Sequence, residues 1–259
     1  YRTASGAPGH KYYQQKADYV IDVTLDDENQ KITGKETITY KNNSPDKLEY
    51  LWIQLDQNMR AKDSDTKLVN SGGIGESMSF GDLARLHNEF DGGFKIEEVT
   101  TPSGKDLKYA INKTMLRIDL DTPLKDGASV SFRIKWWYNI NDRMKIGGRS
   151  GYEYFEEEDN YLYTIAQWFP RMCVCNDVEG WQNMQFWGRS EWALEFGDYD
   201  VKITVPADHI MEATGELQNE RDVLTRQQRR RFDKARKTFD NPVMIVTQKE
   251  AEKAEKSRS

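Results

Sequence analysis

The first part of the chain alternates apolar and polar residues with a period of two. Apolar side chains occupy one face from Tyr19 to Leu25, the polar cluster 26–29 interrupts them, and the alternation resumes from Ile32 to Tyr40. A period of two indicates strands with one buried face, and a short polar cluster between two such runs indicates a turn. The sequence therefore predicts a strand, turn and strand at its start.

The same pattern recurs along the chain and predicts the fold class. After a turn at 42–46, the alternation returns at Leu51, Ile53 and Leu55. Further predicted strands are Phe94–Val99, Met115–Leu120, Val130–Trp136, Tyr161–Ile165, Trp192–Phe196 and Tyr199–Val205. Many short strands separated by turn signals, without regular alternation of strands and helices, favour an all-β fold, an antiparallel β-sandwich or a related layered structure.

Two segments depart from this rhythm. Lys62–Gly93 is long for a loop, contains glycine clusters at 71–75 and 91–93, and includes a short predicted helix at Gly81–Asn88. The glycine spacing does not match a phosphate-binding loop, so we interpret these glycines as turn residues. Arg221–Thr238 lacks glycine and proline and predicts a helix with a narrow apolar stripe.

Charge divides the chain unequally. The net charge is −6, but residues 219–259 contain 12 basic and 7 acidic side chains, whereas residues 1–218 carry a net −11. Such a shift predicts two parts, a β-sandwich domain over 1–218 and a charged helical linker over 219–259. The basic run at 226–237 has few interleaved aromatic residues and follows an acidic body, so we expect no nucleic-acid partner.

The chemistry that the sequence lacks restricts its function. There are three histidines and no His-Glu-x-x-His motif, and no Gly-x-Ser-x-Gly motif occurs. Cys173 and Cys175 are one residue apart, a spacing that does not suit a disulfide, and a zinc site would need two further ligands from distant segments. The acidic run 156–159 is typical of a solvated loop. The residues themselves therefore indicate a non-catalytic chain with no metal site.

Aromatic residues concentrate between Trp168 and Trp192. One interpretation is that they fill the core of the sandwich. The other is that they form the wall of a binding site, which would make the chain a carbohydrate- or protein-binding module. The sequence leaves both open. No run approaches the roughly 20 apolar residues of a membrane-spanning helix, and no signal peptide is recognisable, although export with a removed signal peptide is compatible with the composition.

Several segments together resemble a known family. They are Tyr12–Tyr19, Leu51–Asn58, Ala166–Met172, Glu195–Pro206 and Ala213–Leu217. These segments are similar to the amino-terminal domain of bacterial zinc aminopeptidases of the alanyl aminopeptidase (aminopeptidase N) family, and the resemblance extends from about Gly9 to Leu217.

The resemblance implies a saddle-shaped antiparallel β-sandwich that packs on a separate catalytic domain, which removes amino-terminal residues from peptides. In that family, zinc is held by His-Glu-x-x-His and a distal glutamate, and a Gly-x-Met-Glu-Asn loop binds the substrate amine. Neither motif occurs here. The resemblance therefore implies a fragment that stops before the catalytic domain, is inactive alone, and has zinc only in that missing domain.

The resemblance assigns a role to one residue. The family's amino-terminal domain contributes a Gln or Glu, followed by an Arg and an Asp, that helps to hold the amino end of the peptide substrate. Gln167, Arg171 and Asp177 follow that order. The spacing to Arg171 is about one residue shorter than the common pattern, and the segment around Cys175 also departs from it. These departures leave Gln167 as the substrate-binding candidate and give Asp177 at most a structural role.

Overall fold

The computed structural model describes residues 1–69, 77, 79–80, 89–188 and 193–256. They form two compact units, Tyr1–Thr204 and Val205–Ser259. The compositional boundary at 218/219 stays a prediction, because a change in charge and a division between compact units are different criteria. The glycine-rich stretch 71–75 and the predicted helix Gly81–Asn88 lie outside the described residues.

The first unit is built from strands. They are β1 (Lys16–Asp26), β2 (Lys31–Lys41), β3 (Leu48–Gln54), β4 (Lys95–Thr100), β5 (Lys108–Asn112), β6 (Met115–Leu124), β7 (Ser129–Asn139), β8 (Gly151–Phe155), β9 (Asn160–Thr164), β10 (Arg171–Met172), β11 (Cys175–Asn176), β12 (Gly180–Trp181) and β13 (Tyr199–Thr204). A 3₁₀ turn at Asp56–Arg60 and short helices α1 (Thr66–Val69) and α2 (Arg143–Ile146) lie between them.

Two larger sheets and two ribbons organise these strands. One sheet has the order β13-β1-β2-β7-β4, the other has the order β10-β3-β6-β5, and β8–β9 and β11–β12 form separate two-stranded ribbons. The pairings are antiparallel except that β1 and β13 are parallel, with Tyr19 opposite Tyr199. The predicted all-β class is thus confirmed, with one parallel pair at a sheet edge.

The core follows from the period of two. Every second residue of β1 from Ala17 to Leu25 is buried, as are Phe132, Ile134, Trp136 and Tyr138 on β7. On the second sheet, Leu51 and Ile53 are fully buried. Tyr19 joins the two sheets, because its hydroxyl oxygen accepts a hydrogen bond of 2.9 Å from the backbone N–H of Met172. Burial of each such aliphatic side chain stabilises the fold by about 1.5–3 kcal/mol.

Gly34 lies within β2 for a packing reason. A Cβ atom built at Gly34 would lie 2.3 Å from Cζ2 of Trp136 on the neighbouring strand, so the indole ring occupies the space of the missing side chain. We expect Gly34→Ala to lower the free energy of unfolding by about 1–3 kcal/mol, because the ring must move within a packed core. Urea unfolding of this variant beside Lys35→Ala, which truncates the adjacent exposed side chain of β2, measures the effect; equal losses would contradict it.

Most predicted strands coincide with observed ones, and one prediction is wrong. Residues 193–196 of the predicted strand Trp192–Phe196 form isolated bridges at Leu194 and Phe196, and Trp192 is not among the described residues. Leu194 bridges Cys173, while Phe196 bridges Lys16. The segment therefore contacts two different partners in turn instead of extending one ladder.

The second unit contains α3 (Glu220–Val223), α4 (Arg226–Ala235) and α5 (Gln248–Glu255). The prediction of a single helix at Arg221–Thr238 is thus wrong, since Leu224 and Thr225 separate two helices. Thr225 and Gln228 form a capping box, in which each side chain bonds to the backbone N–H of the other, and this starts a new helix. No helix in the described part of the chain is long and apolar enough to cross a membrane.

Candidate functional site

A run of polar residues is buried where β3 passes into the 3₁₀ turn. Gln54, Asp56 and Gln57 are each at most 2% exposed, and Asn58 is 8% exposed. Buried polar groups must find hydrogen-bond partners, or they destabilise the fold. The partners of Asp56 and Gln57 lie in the segment 166–171, so this turn determines how the predicted substrate-binding residue is held.

Gln57 holds the backbone on both sides of Gln167. Its side-chain Nε2 donates hydrogen bonds of 3.1 Å to the carbonyl of Ala166 and 3.0 Å to the carbonyl of Gln167. Its Oε1 accepts a hydrogen bond of 3.0 Å from the guanidinium of Arg60. On another loop, the hydroxyl oxygen of Ser150 accepts a bond of 3.2 Å from the N–H of Ala166.

Gln167 has an unusual backbone conformation. Its φ of 54° lies in the left-handed region, which residues other than glycine, asparagine and aspartate rarely adopt. The side chain of Gln167 is half-buried, and its amide makes no hydrogen bond within the described part of the chain. The main chain is therefore fixed by neighbours, while both polar atoms of the side chain have no partner among the described residues.

Arg171 forms a buried ion pair. Its Nε and Nη2 lie 2.8 Å and 2.6 Å from Oδ2 of Asp56, whose side chain is 1% exposed, and Oδ1 of Asp56 accepts a bond from Gln54. Burial raises the pKa of Asp56, and Arg171 opposes that shift. Since the guanidinium is engaged by Asp56, Arg171 anchors the end of the 166–171 segment.

Asp177 is held elsewhere, by Arg2. The guanidinium donates from Nε to Oδ2 at 2.8 Å and from Nη2 to Oδ1 at 2.9 Å. This pairing lowers the pKa of Asp177. The carboxylate thus ties the amino-terminal segment to the loop after β11. Of the three residues that the resemblance places in order, Gln167 alone has a side chain without a hydrogen bond or ion pair to another described residue.

The described aromatic residues are mostly packed against one another. The ring centroids of Trp168 and Trp136 lie 6.2 Å apart at 51°, and Trp168 and Phe169 lie 4.8 Å apart at 61°. Trp181 packs on the buried Tyr40, and Phe186 is 3% exposed. These inclined, partly buried rings favour the core interpretation over a flat exposed platform; Trp192 is outside the described residues.

The described residues do not fit a zinc site. No group of three or more His, Cys, Asp or Glu side chains among them is placed to hold a metal ion. Burial raises the pKa of the Cys173 thiol to about 12 and that of Cys175 to about 11, which opposes formation of the thiolates that zinc requires. His209 contacts Asp208, and His87 is not described.

Sequence reasoning gave no role to Gln57 and Ser150. Gln57 belongs to a segment that resembles the family, and its signal is a polar run directly after an apolar strand. That signal indicates a buried polar turn but does not identify a partner 110 residues away. Ser150 lies two residues after a pair of glycines in a loop and has no distinguishing pattern.

Comparisons with known proteins give similarity only to solved structures. No protein-family model matches the chain, and no curated protein matches it. A mutant of the M1 zinc metallopeptidase from Deinococcus radiodurans, bound to a Tyr-Ser-Ala substrate, shares 12% identity and has a TM-score of 0.42. The match covers 80% of this chain and 36% of that protein.

A second structure of the M1 zinc metallopeptidase from Deinococcus radiodurans has 12% identity and a TM-score of 0.39, again covering 80% of this chain and 36% of the other. The chain thus spans little more than a third of the length of these structures. At this identity and with TM-scores below 0.5, the similarities carry no argument about function.

Proposed function

We propose that this chain is the non-catalytic amino-terminal domain of a zinc metallo-aminopeptidase, an enzyme that removes amino-terminal residues from peptides. In this proposal Gln167 helps to bind the free amino end of the substrate, and the catalytic domain with its zinc lies outside this chain. The observation that carries the proposal is that Gln167 has a backbone fixed by its neighbours and a side-chain amide with no partner in the described part of the chain.

A glutamine suits this task chemically. Its Oε1 accepts a hydrogen bond from an ammonium group, and its Nε2 donates one to the first peptide carbonyl of a substrate. The amide therefore recognises both ends of an amino-terminal residue without a shifted pKa. Because the backbone is already fixed, little conformational freedom is lost when the substrate binds, and orientation of this kind contributes to the rate of reaction.

A further part of the proposal is the packing of this domain on a catalytic domain. In the first unit, Val20, Val178, Met184 and Phe196 are 58–74% exposed. An adjoining domain of the same polypeptide would remove such side chains from water. The downstream catalytic domain and the amino terminus of a peptide are the partners that we propose.

The test uses the full polypeptide that contains this chain. We expect Gln167→Ala to lower kcat/KM on an aminoacyl-naphthylamide by roughly 10- to 100-fold, the range for a lost hydrogen bond to a charged group. The zinc content and the melting temperature should stay unchanged. Inhibition constants measured with an amino-acid analogue and its desamino counterpart should rise more for the former, because only the former carries the amine that Oε1 of Gln167 binds.

Gln14→Ala is the matched control, since its side chain is exposed and makes no hydrogen bond within the described residues. It should leave kcat/KM unaltered. Wild-type kinetics for Gln167→Ala, or an equal loss of affinity for both inhibitors, would refute the role of Gln167. Turnover by the 259-residue chain alone, with bound zinc, would refute the proposed division between this domain and a catalytic domain.

A further inference from the structure

We propose that Gln57 is a positioning residue, which sets the direction of the Gln167 amide by clamping the Ala166–Gln167 peptide, and that Ser150 completes this clamp. The inference rests on the function proposed for Gln167. Gln57 does not itself contact substrate in this proposal. It acts through the backbone that carries Gln167.

The hydrogen bonds of Gln57 permit a single orientation of its side chain. Both N–H bonds of Nε2 are used on carbonyls, those of Ala166 and Gln167, while Oε1 accepts from Arg60. Turning the amide by 180° would set Oε1 against two carbonyl oxygens and Nε2 against a donor. At 2% exposure, water does not replace the lost partners. The amide is therefore locked.

The locked amide of Gln57 holds Gln167 in a backbone conformation that Gln167 would otherwise leave. Gln167 has a φ of 54°, and a side chain with a Cβ meets steric resistance in this region. Three hydrogen bonds fix the backbone around Gln167. Nε2 of Gln57 donates to the carbonyls of Ala166 and Gln167, and the hydroxyl oxygen of Ser150 accepts from the N–H of Ala166. Ser150 is 4% exposed, so both parts of the clamp are shielded from water.

Loss of the clamp should release this strain. The backbone at Gln167 would then return toward a negative φ, and its side chain would leave from a different direction. Misplacement of a binding group by about 1 Å can lower a rate by roughly 100-fold. The clamp should therefore affect recognition of the substrate amine without contact between Gln57 and the substrate.

The experiment compares three variants. Gln57→Glu keeps the size of the side chain and an acceptor for Arg60, but it replaces the Nε2 donor by an oxygen. Ser150→Ala removes only the acceptor for Ala166 and provides a milder test where Gln57→Glu does not yield folded protein. Gln15→Glu is the matched control, because Gln15 is also 2% exposed and hydrogen-bonded, but to Asn42 and Asn43.

Two readouts are needed. A crystal structure of the 259-residue variant gives the φ angle of Gln167, independently of activity. In the full polypeptide, kcat/KM is measured for Gln57→Glu in the wild-type and in the Gln167→Ala background. We expect φ to become negative, kcat/KM to fall roughly 10-fold in the wild-type background, and no further fall in the Gln167→Ala background. Gln15→Glu should retain the wild-type values.

The amine-bearing and desamino inhibitors separate positioning from general damage to the fold. Gln57→Glu should weaken binding of the amine-bearing inhibitor more than binding of the desamino inhibitor. Equal losses in both backgrounds, or a Gln167 φ that stays positive in Gln57→Glu, would overturn the clamp. Wild-type activity of Gln167→Ala would instead overturn the function proposed for Gln167, while the φ angle still reports on the clamp. The two failures are thus distinguishable.

Discussion

Replacement of Glu36 by leucine should stabilise the protein by about 1–4 kcal/mol at pH 7. Glu36 lies on the inward face of β2 and is 2% exposed, and its register partners on the neighbouring strands are Ile21 and Ile134. Neither carboxyl oxygen has a hydrogen-bond partner among the described residues. Burial in these apolar surroundings raises the pKa of Glu36 well above its usual range.

The direction of the pKa shift determines how the effect depends on pH. Because the pKa is higher in the folded state, the folded state retains the proton after the unfolded state has lost it. The free energy of unfolding of the wild type therefore falls as pH rises above the ordinary carboxyl range, by up to about 1.4 kcal/mol per pH unit, until the folded carboxyl also ionises. The advantage of Glu36→Leu should consequently grow between pH 5 and pH 8.

Urea unfolding of the wild type and of two variants at pH 5, 6, 7 and 8 measures this effect. Glu36→Gln is the matched control, since it removes the ionisable group but leaves a buried amide in the same place. Glu36→Gln should therefore remove the contribution of this carboxyl group to the pH dependence of the free energy of unfolding. It should stabilise the protein less than Glu36→Leu does. A difference between Glu36→Leu and the wild type that stays constant over this pH range would contradict the assignment of Glu36 as a buried, uncharged acid.

Removal of Asp56 should have the largest destabilising effect. We expect Asp56→Ala to lower the free energy of unfolding by about 3–5 kcal/mol, because it leaves the buried guanidinium of Arg171 without its carboxylate. The side chain of Arg171 is 12% exposed, which leaves little access to water.

An exposed ion pair gives the control for this prediction. Lys105 and Asp121 are paired, but their side chains are 67% and 61% exposed. Exposed pairs contribute about 0–1 kcal/mol, so Asp121→Ala should change stability little. Chemical denaturation of both variants decides the matter; similar small changes for the two would show that the Asp56–Arg171 pair does not anchor the fold.

The sequence predicts where the long strands lie better than it predicts which strands pair. A period of two was enough to locate β1, β2 and β7, because one face of each strand is buried along its whole length. The parallel pairing of β1 with β13 could not be predicted, since no local pattern identifies a partner at the far end of the domain. The short β10, β11 and β12 contain two residues each, too few to produce a periodic signal.

In the candidate site, too, the sequence identifies a residue but not the contacts that hold it. Gln167 was identified by resemblance, and its polar character alone would not have distinguished it from other glutamines. Its environment depends on contacts across 110 residues, which local composition does not encode. No local pattern in the sequence identifies Asp56 as the partner of Arg171, and their ion pair is evident only from the fold.

The parallel pairing of β1 with β13 has a consequence for synthesis on the ribosome. Tyr19 and Tyr199 are opposite each other, so roughly 180 residues separate them, and at 5–20 residues per second about 10–40 s pass before β13 is made. Until then β1 is paired with β2 on one side and presents open N–H and C=O groups on the other, the kind of edge that recruits strands of other chains. A truncation before Tyr199 would keep Gln57, Ser150 and Gln167, yet it would make this transient edge permanent.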